Sequence, residues 1–103
     1  MEIEFNHLTQ NGIQHSTGEL IKLGEYQYAL HNYQGYWDII ELSTGLSVAS
    51  ISGSIENVNG RTVRDYLLDQ LMKSNRTLKV IEDGKAILQA CDIPYPVNNL
   101  FNG

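Results

Sequence analysis

The chain has 103 residues, 42% of them apolar, and a formal net charge of −5. That length fits one domain spanning 1–103 with a single sizeable core. The apolar share excludes a disordered chain, and no run approaches the ~18 apolar residues of a membrane span. No basic segment followed by an apolar stretch opens the sequence, so no secretory leader is read and a cytoplasmic location is expected. Cys91 is the only cysteine, so no internal disulfide can form, which suits a reducing compartment. The charge is unevenly placed. Residues 1–60 hold seven acids and one base, whereas 61–85 hold six bases and four acids. The first part therefore repels polyanions at long range and the second is weakly basic.

Residues 2–8 alternate, with Ile3 and Phe5 opposite Glu2, Glu4 and Asn6, and read as a first strand at a sheet edge. Residues 9–18 are polar and punctuated by glycine and read as a loop. From Glu25 to Tyr33, Tyr26, Tyr28 and Leu30 share one strand face and Gln27, Ala29 and His31 the other. A reversal at 32–35 leads into Tyr36–Leu42, where Trp37 and Ile39 oppose Tyr36, Ile40 and Leu42. Either a bulge near Ile39–Ile40 returns the apolar residues to one face, or both faces are covered. Ser43-Thr44-Gly45 turns the chain into a third run ending near Ile51.

Thr62 followed by Asp65 marks a helix start. Val63, Tyr66, Leu67 and Leu71 keep helical spacing, and Ser74-Asn75 ends the helix. Asp83-Gly84 between the apolar runs 77–81 and 85–90 predicts a hairpin, although Ala86–Ala90 also favours helix on propensity. Pro94 and Pro96 enforce an extended path. The tail, 97–103, is either frayed or docked through Leu100 and Phe101. The fold expected is α+β: an antiparallel sheet of four to six strands, with a meander over 25–51 and a hairpin over 77–90, on one main helix at 62–74.

The chemistry-bearing residues are sparse. His7, His15 and His31 are scattered and Cys91 has no neighbouring ligand, so no metal or other cofactor is expected. Asp65 and Asp69 are the only carboxylates paired by helical spacing, on an exposed helix face, and no phosphate-binding loop is present, so no enzymatic activity is expected. A sheet that reads a nucleic-acid groove needs Arg or Lys, and this one offers acids. What remains is an acidic, aromatic sheet. One helix covers only one of its faces, and tyrosine and tryptophan are the usual anchors of protein interfaces. Tyr33, Tyr36 and Asp38 are the expected contacts, with Glu25 and Glu41 reaching toward a basic protein surface such as that of a nucleic-acid-binding effector. Two other readings stay open. One is a nucleic-acid-binding regulator using Arg61, Arg64, Arg76 and Lys79. The other is a homo-oligomer that adds strands edge to edge or binds a ligand between subunits.

Residues 35–50, Gly-Tyr-Trp-Asp-Ile-Ile-Glu-Leu-Ser-Thr-Gly-Leu-Ser-Val-Ala-Ser, resemble the strand–turn–strand element of short accessory proteins carried by phages and plasmids of Gram-positive bacteria. A Trp-containing strand, a Thr-Gly turn and a small-residue strand precede a helix in those proteins. Anti-CRISPR proteins, which block bacterial defence complexes by binding them, are among small proteins of this kind. The resemblance implies a non-enzymatic inhibitor or adaptor; the inhibitor form would act by steric occlusion of a host defence nuclease in the host-cell cytoplasm. It carries no functional residue over by position.

Overall fold

Period-two patterning carries the chain through five consecutive antiparallel strands: β1 (Glu2–Thr9), β2 (Gly12–Leu23), β3 (Tyr26–Tyr33), β4 (Tyr36–Glu41) and β5 (Leu46–Ser52), in the order β1-β2-β3-β4-β5. The structure, a computed structural model, describes residues 1–33, 35–52, 57–58, 61–74 and 76–101, without the side chains of residues 33, 52, 57, 58, 61 and 74. A short ladder of β6 (Asn57–Val58) and β7 (Arg61–Thr62) leads into α1 (Val63–Ser74), which is followed by α2 (Thr77–Ala90). No helix among the described residues is long and apolar enough to cross a membrane.

The stretch 9–18, expected as a loop, is instead a hairpin, with β1 and β2 paired from Glu2↔Glu19 to Thr9↔Gly12. The Thr9 hydroxyl organises its tip, accepting from the Asn11 N–H at 3.1 Å and donating to the Gly12 carbonyl at 2.8 Å. Gln14, His15 and Thr17 are exposed, so this part of β2 carries no apolar alternation to reveal it.

Both faces of the sheet are buried, and each has its own core. On one face Ile21, Tyr28, Leu30, Ile39 and Val48 meet Val63, Leu67 and Leu71 of α1. On the other, Ile3, Phe5, Ala29, Ile40 and Leu42 pack together with Leu20 and Phe101. The apolar run of β4 is thus explained by cover on both sides. The register also shifts between Ile39 and Ile40: Ile39 faces Ala49 and Ile40 faces Ser47. The extra residue, Val48, is on β5, where it joins the helix-side core at 3% exposure.

α1 begins as its sequence predicts, with the Asp65 N–H donating to the Thr62 hydroxyl at 3.2 Å. The hairpin expected over 77–90 is wrong: the segment is one helix of 14 residues, so two helices, not one, lie on the sheet. Gly84 makes no turn. A Cβ built there would sit 2.6 Å from Thr44 Cγ2 and 2.7 Å from Thr44 Cβ, so glycine is what lets α2 approach the β4–β5 turn. Thr77, Gly84 and Leu88 form the buried stripe. The helix ends at Cys91 with Asp92 in the left-handed region (φ 56°) and the Ile93 N–H donating to the Leu88 carbonyl at 2.9 Å, a Schellman arrangement.

The second core is closed by β1 and by residues 97–101. β1 curls until its Leu8 N–H donates to the Gly45 carbonyl at 2.8 Å. Only glycine fits at 45, because φ is 74° and a Cβ would lie 2.9 Å from Leu8 N. The tail is docked as far as Phe101. The Asn98 side chain receives the Asn6 N–H (2.7 Å) and donates to the carbonyls of Asn6 (2.7 Å) and Leu42 (2.8 Å). The Gln27 amide grips the Phe101 backbone in both directions, at 2.7 and 2.8 Å. Phe101, not the largely exposed Leu100, seals the core.

Candidate functional site

Among the described residues, that cover stops before the β3–β4 hairpin. Tyr33 pairs with Tyr36 and His31 with Asp38, and strand alternation puts His31, Tyr36 and Asp38 on the face opposite α1. Tyr36 is 54% exposed. His31 is buried, and its Nδ1 donates to the Thr17 carbonyl at 3.0 Å, since a carbonyl can only accept. From the curled β1, His7 joins it. The two imidazole centroids are 5.4 Å apart, and Phe5 lies 5.6 Å from His31 and 5.7 Å from His7. His7 Nε2 lies 2.9 Å from the Ser16 hydroxyl.

The polar groups of this corner work against their own solvation. Burial pushes the Asp38 carboxyl above the usual carboxylate range, opposed by the Ser47 hydroxyl donating at 3.3 Å and by His31 and His7. Burial pushes His7 below the usual imidazole value, and the neighbouring His31 adds to this while Asp38 opposes it. Clusters of perturbed groups beside an exposed aromatic mark candidate sites. No group of three or more His, Cys, Asp or Glu among the described residues is placed to hold a metal ion.

The other expected contacts scatter. The Tyr33 side chain lies outside the described residues. Glu25 is exposed at the β2–β3 turn, the length of β3 away from Tyr36, about 25 Å at strand rise. Glu41 does not reach outward at all. It is 3% exposed, and its carboxylate accepts from Ser43 N (2.9 Å), Ser43 Oγ (2.8 Å), Thr44 N (3.0 Å) and Thr44 Oγ1 (2.8 Å). A buried carboxylate persists only when so satisfied; Glu41 therefore holds the β4–β5 turn rather than a partner.

The basic set is likewise dispersed. Arg64 Nε contacts both Glu19 oxygens at 3.0 and 2.7 Å, and Lys79 faces Asp83 at 3.7 Å. Arg76 is exposed and borders a 150 Å³ cavity with Ser50 and Tyr66, an α1 length or about 18 Å from Arg64. The Arg61 side chain lies outside the described residues.

Sequence reasoning missed His7 and His31. His31 was recoverable, because any antiparallel register that pairs 33 with 36 also pairs 31 with 38. His7 was not, because its arrival depends on the curl of β1. The pattern Glu41-x-Ser-Thr-Gly was a usable sign of Glu41's fate, since hydroxyls and amides two and three residues after a carboxylate can fold back onto it. The chain matches no family model, no curated protein and no solved structure.

Proposed function

We propose that the protein is a small non-enzymatic protein-binding module that docks a basic segment of another protein at the open corner around Tyr36 and Asp38 and acts by occluding it. The carrying observation is the exposure of Tyr36, at 54%, on a sheet face that β1 and the tail otherwise close. A tyrosine held by a strand loses little conformational freedom on binding and serves as an anchor. Asp38 beside it and the acid excess of residues 1–60 favour a basic partner and speed encounter with it. The more specific form, a mobile-element inhibitor of a host defence nuclease, rests on the resemblance of residues 35–50 alone.

Two observations weigh against the other readings. Much of the basic charge faces carboxylates, as in Arg64–Glu19, Lys73–Asp69 and Lys79–Asp83, which lowers what it can offer phosphate. Both sheet edges are also blunted: β1 by the Gly45 and Asn98 contacts and β5 by its bulge. The test is capture of partners from a bacterial lysate on immobilised wild-type protein and on Tyr36→Ala, followed by titration of the purified partner. A partner retained by wild type and weakened about thirtyfold by Tyr36→Ala is expected, an anchor-sized effect. A partner that binds both equally, or a nucleic acid as the only captured species, refutes the proposal.

A further inference from the structure

A second surface lies at the opposite end of β3. Here a groove of about 600 Å³ opens between the end of α1, the start of α2 and the β2–β3 hairpin. Its walls are Leu23, Tyr26, Leu71, Met72 and Leu78. Met72 is 72% exposed and Leu78 62% exposed, an uncommon degree of apolar exposure for two side chains flanking one depression. At the floor the Tyr28 and Thr77 hydroxyls bond each other at 2.8 Å.

The rim is acidic. Glu25 is exposed in the β2–β3 turn next to Tyr26. Glu82, also exposed, follows Leu78 by one helical turn. The nearby lysines of the two helices face acids of their own helix, Lys73 on Asp69 at 2.9 Å and Lys79 on Asp83 at 3.7 Å, and Lys85 lies over the Tyr95 ring at 4.9 Å.

We infer that this groove, formed by Leu23, Tyr26, Met72 and Leu78 under Glu25 and Glu82, receives an amphipathic helix of a basic partner protein, with its apolar stripe in the groove and Lys or Arg on its flanks. A helix rather than a strand fits, because the walls are side chains of two helices and a hairpin end. A strand would bring backbone groups with nothing to pair to, whereas a helix satisfies its own. The charge of the rim selects a cationic flank. A second copy of the chain is a poor occupant: it carries a net charge of −5, and α1 and α2 both bury their apolar stripes on their own sheet. This surface is distinct from the Tyr36 corner, and the inference stands or falls independently of it.

The probe is a fluorescein-labelled Leu/Lys peptide with leucines at i, i+3, i+4 and i+7, titrated by anisotropy and mapped by amide shifts. Saturable binding is expected, with shifts clustered at Leu23, Tyr26, Met72 and Leu78. Met72→Ser with Leu78→Ser should weaken it about tenfold or more, and since both side chains are mostly exposed the fold survives the change. Glu25→Gln with Glu82→Gln should weaken it a few-fold at low salt and flatten its salt dependence. Tyr36→Ala should leave it unchanged, which separates this surface from the proposed function. No binding, equal binding of a scrambled or a Leu/Glu peptide, shifts centred on Tyr36, or a dimer in light scattering that Leu78→Ser dissolves would each overturn the inference.

Discussion

Replacing Gly84 with alanine tests the contact that turns an apparent hairpin into a helix. At an open helix position the change would stabilise by about 1 kcal/mol through propensity. Here the new methyl meets Thr44 Cγ2 at 2.6 Å and Thr44 Cβ at 2.7 Å. Thr44 cannot give way: it is fully buried, and both its N–H and its hydroxyl are held by Glu41. Overpacking of this kind costs about 3 kcal/mol at the upper end of its usual range, so Gly84→Ala should destabilise by about 2 kcal/mol net. Urea unfolding would read this directly, and the thermal midpoint should fall by about 10 °C. A glycine in a turn would also resist alanine, so a second variant decides between the two. Thr44→Ser removes Cγ2 but keeps the hydroxyl, and in the Gly84→Ala background it should recover about 1 kcal/mol. Stabilisation by Gly84→Ala, or a loss indifferent to Thr44→Ser, would refute the packing of α2 on the β4–β5 turn.

Glu41→Gln puts an amide donor among the amides and hydroxyls of Ser43 and Thr44 and should lower stability by about 2–3 kcal/mol in urea unfolding. Asn98→Ala removes three hydrogen bonds to Asn6 and Leu42 and should cost about 2 kcal/mol, with loss of hydrogen-exchange protection at Asn6 and Val97 marking release of the tail. Tyr36→Ala should change stability by less than about 0.5 kcal/mol, because the ring is mostly exposed, while weakening partner binding about thirtyfold. For the acid–base pair the signs are opposite. The pKa of His7 is depressed below 6.5, so its contribution to stability is present above that pH and is lost as pH falls toward its folded value. The pKa of Asp38 is raised above 3.8, so its contribution is present below that pH and is lost as pH rises through its folded value. His7→Gln should therefore flatten the decline in stability between pH 7 and pH 5, and Asp38→Asn should raise stability at pH 7, both read from urea midpoints across pH. An unchanged pH profile in His7→Gln would remove the burial argument for this corner.

The legible parts of this fold are those whose pattern is local. The runs from Tyr26, Tyr36 and Leu46 alternate and are bounded by turns, and α1 declares itself through Thr62, Asp65 and its apolar stripe. The outer half of β2 was hidden because it is a solvated ribbon, defined only by pairing with β1. α2 was hidden because its buried stripe contains a threonine and a glycine, Thr77 and Gly84, and because Asp83-Gly84 is a turn signal in most contexts. The site divides in the same way. Tyr36 and Asp38 share a face by alternation, but Glu41 looks like a surface acid until the turn folds back onto its carboxylate.

A sheet with apolar residues on both faces needs two covers. In this protein the helices supply one, while the first strand and the last few described residues supply the other. The second cover is narrow, a curled strand and a strap held by Asn98 and Gln27. It seals Ile3, Phe5, Ala29, Ile40 and Leu42 and stops short of Tyr36. The polar groups His7 and Asp38 occupy the margin where burial is incomplete, beside the buried His31, and there the raised carboxyl and the depressed imidazole cost stability that an apolar margin would not. Core packing alone would favour leucine or valine at these positions. The exposed Tyr36 ring beside these ionisable groups, at the limit of the described cover, is the feature on which the proposed docking site rests.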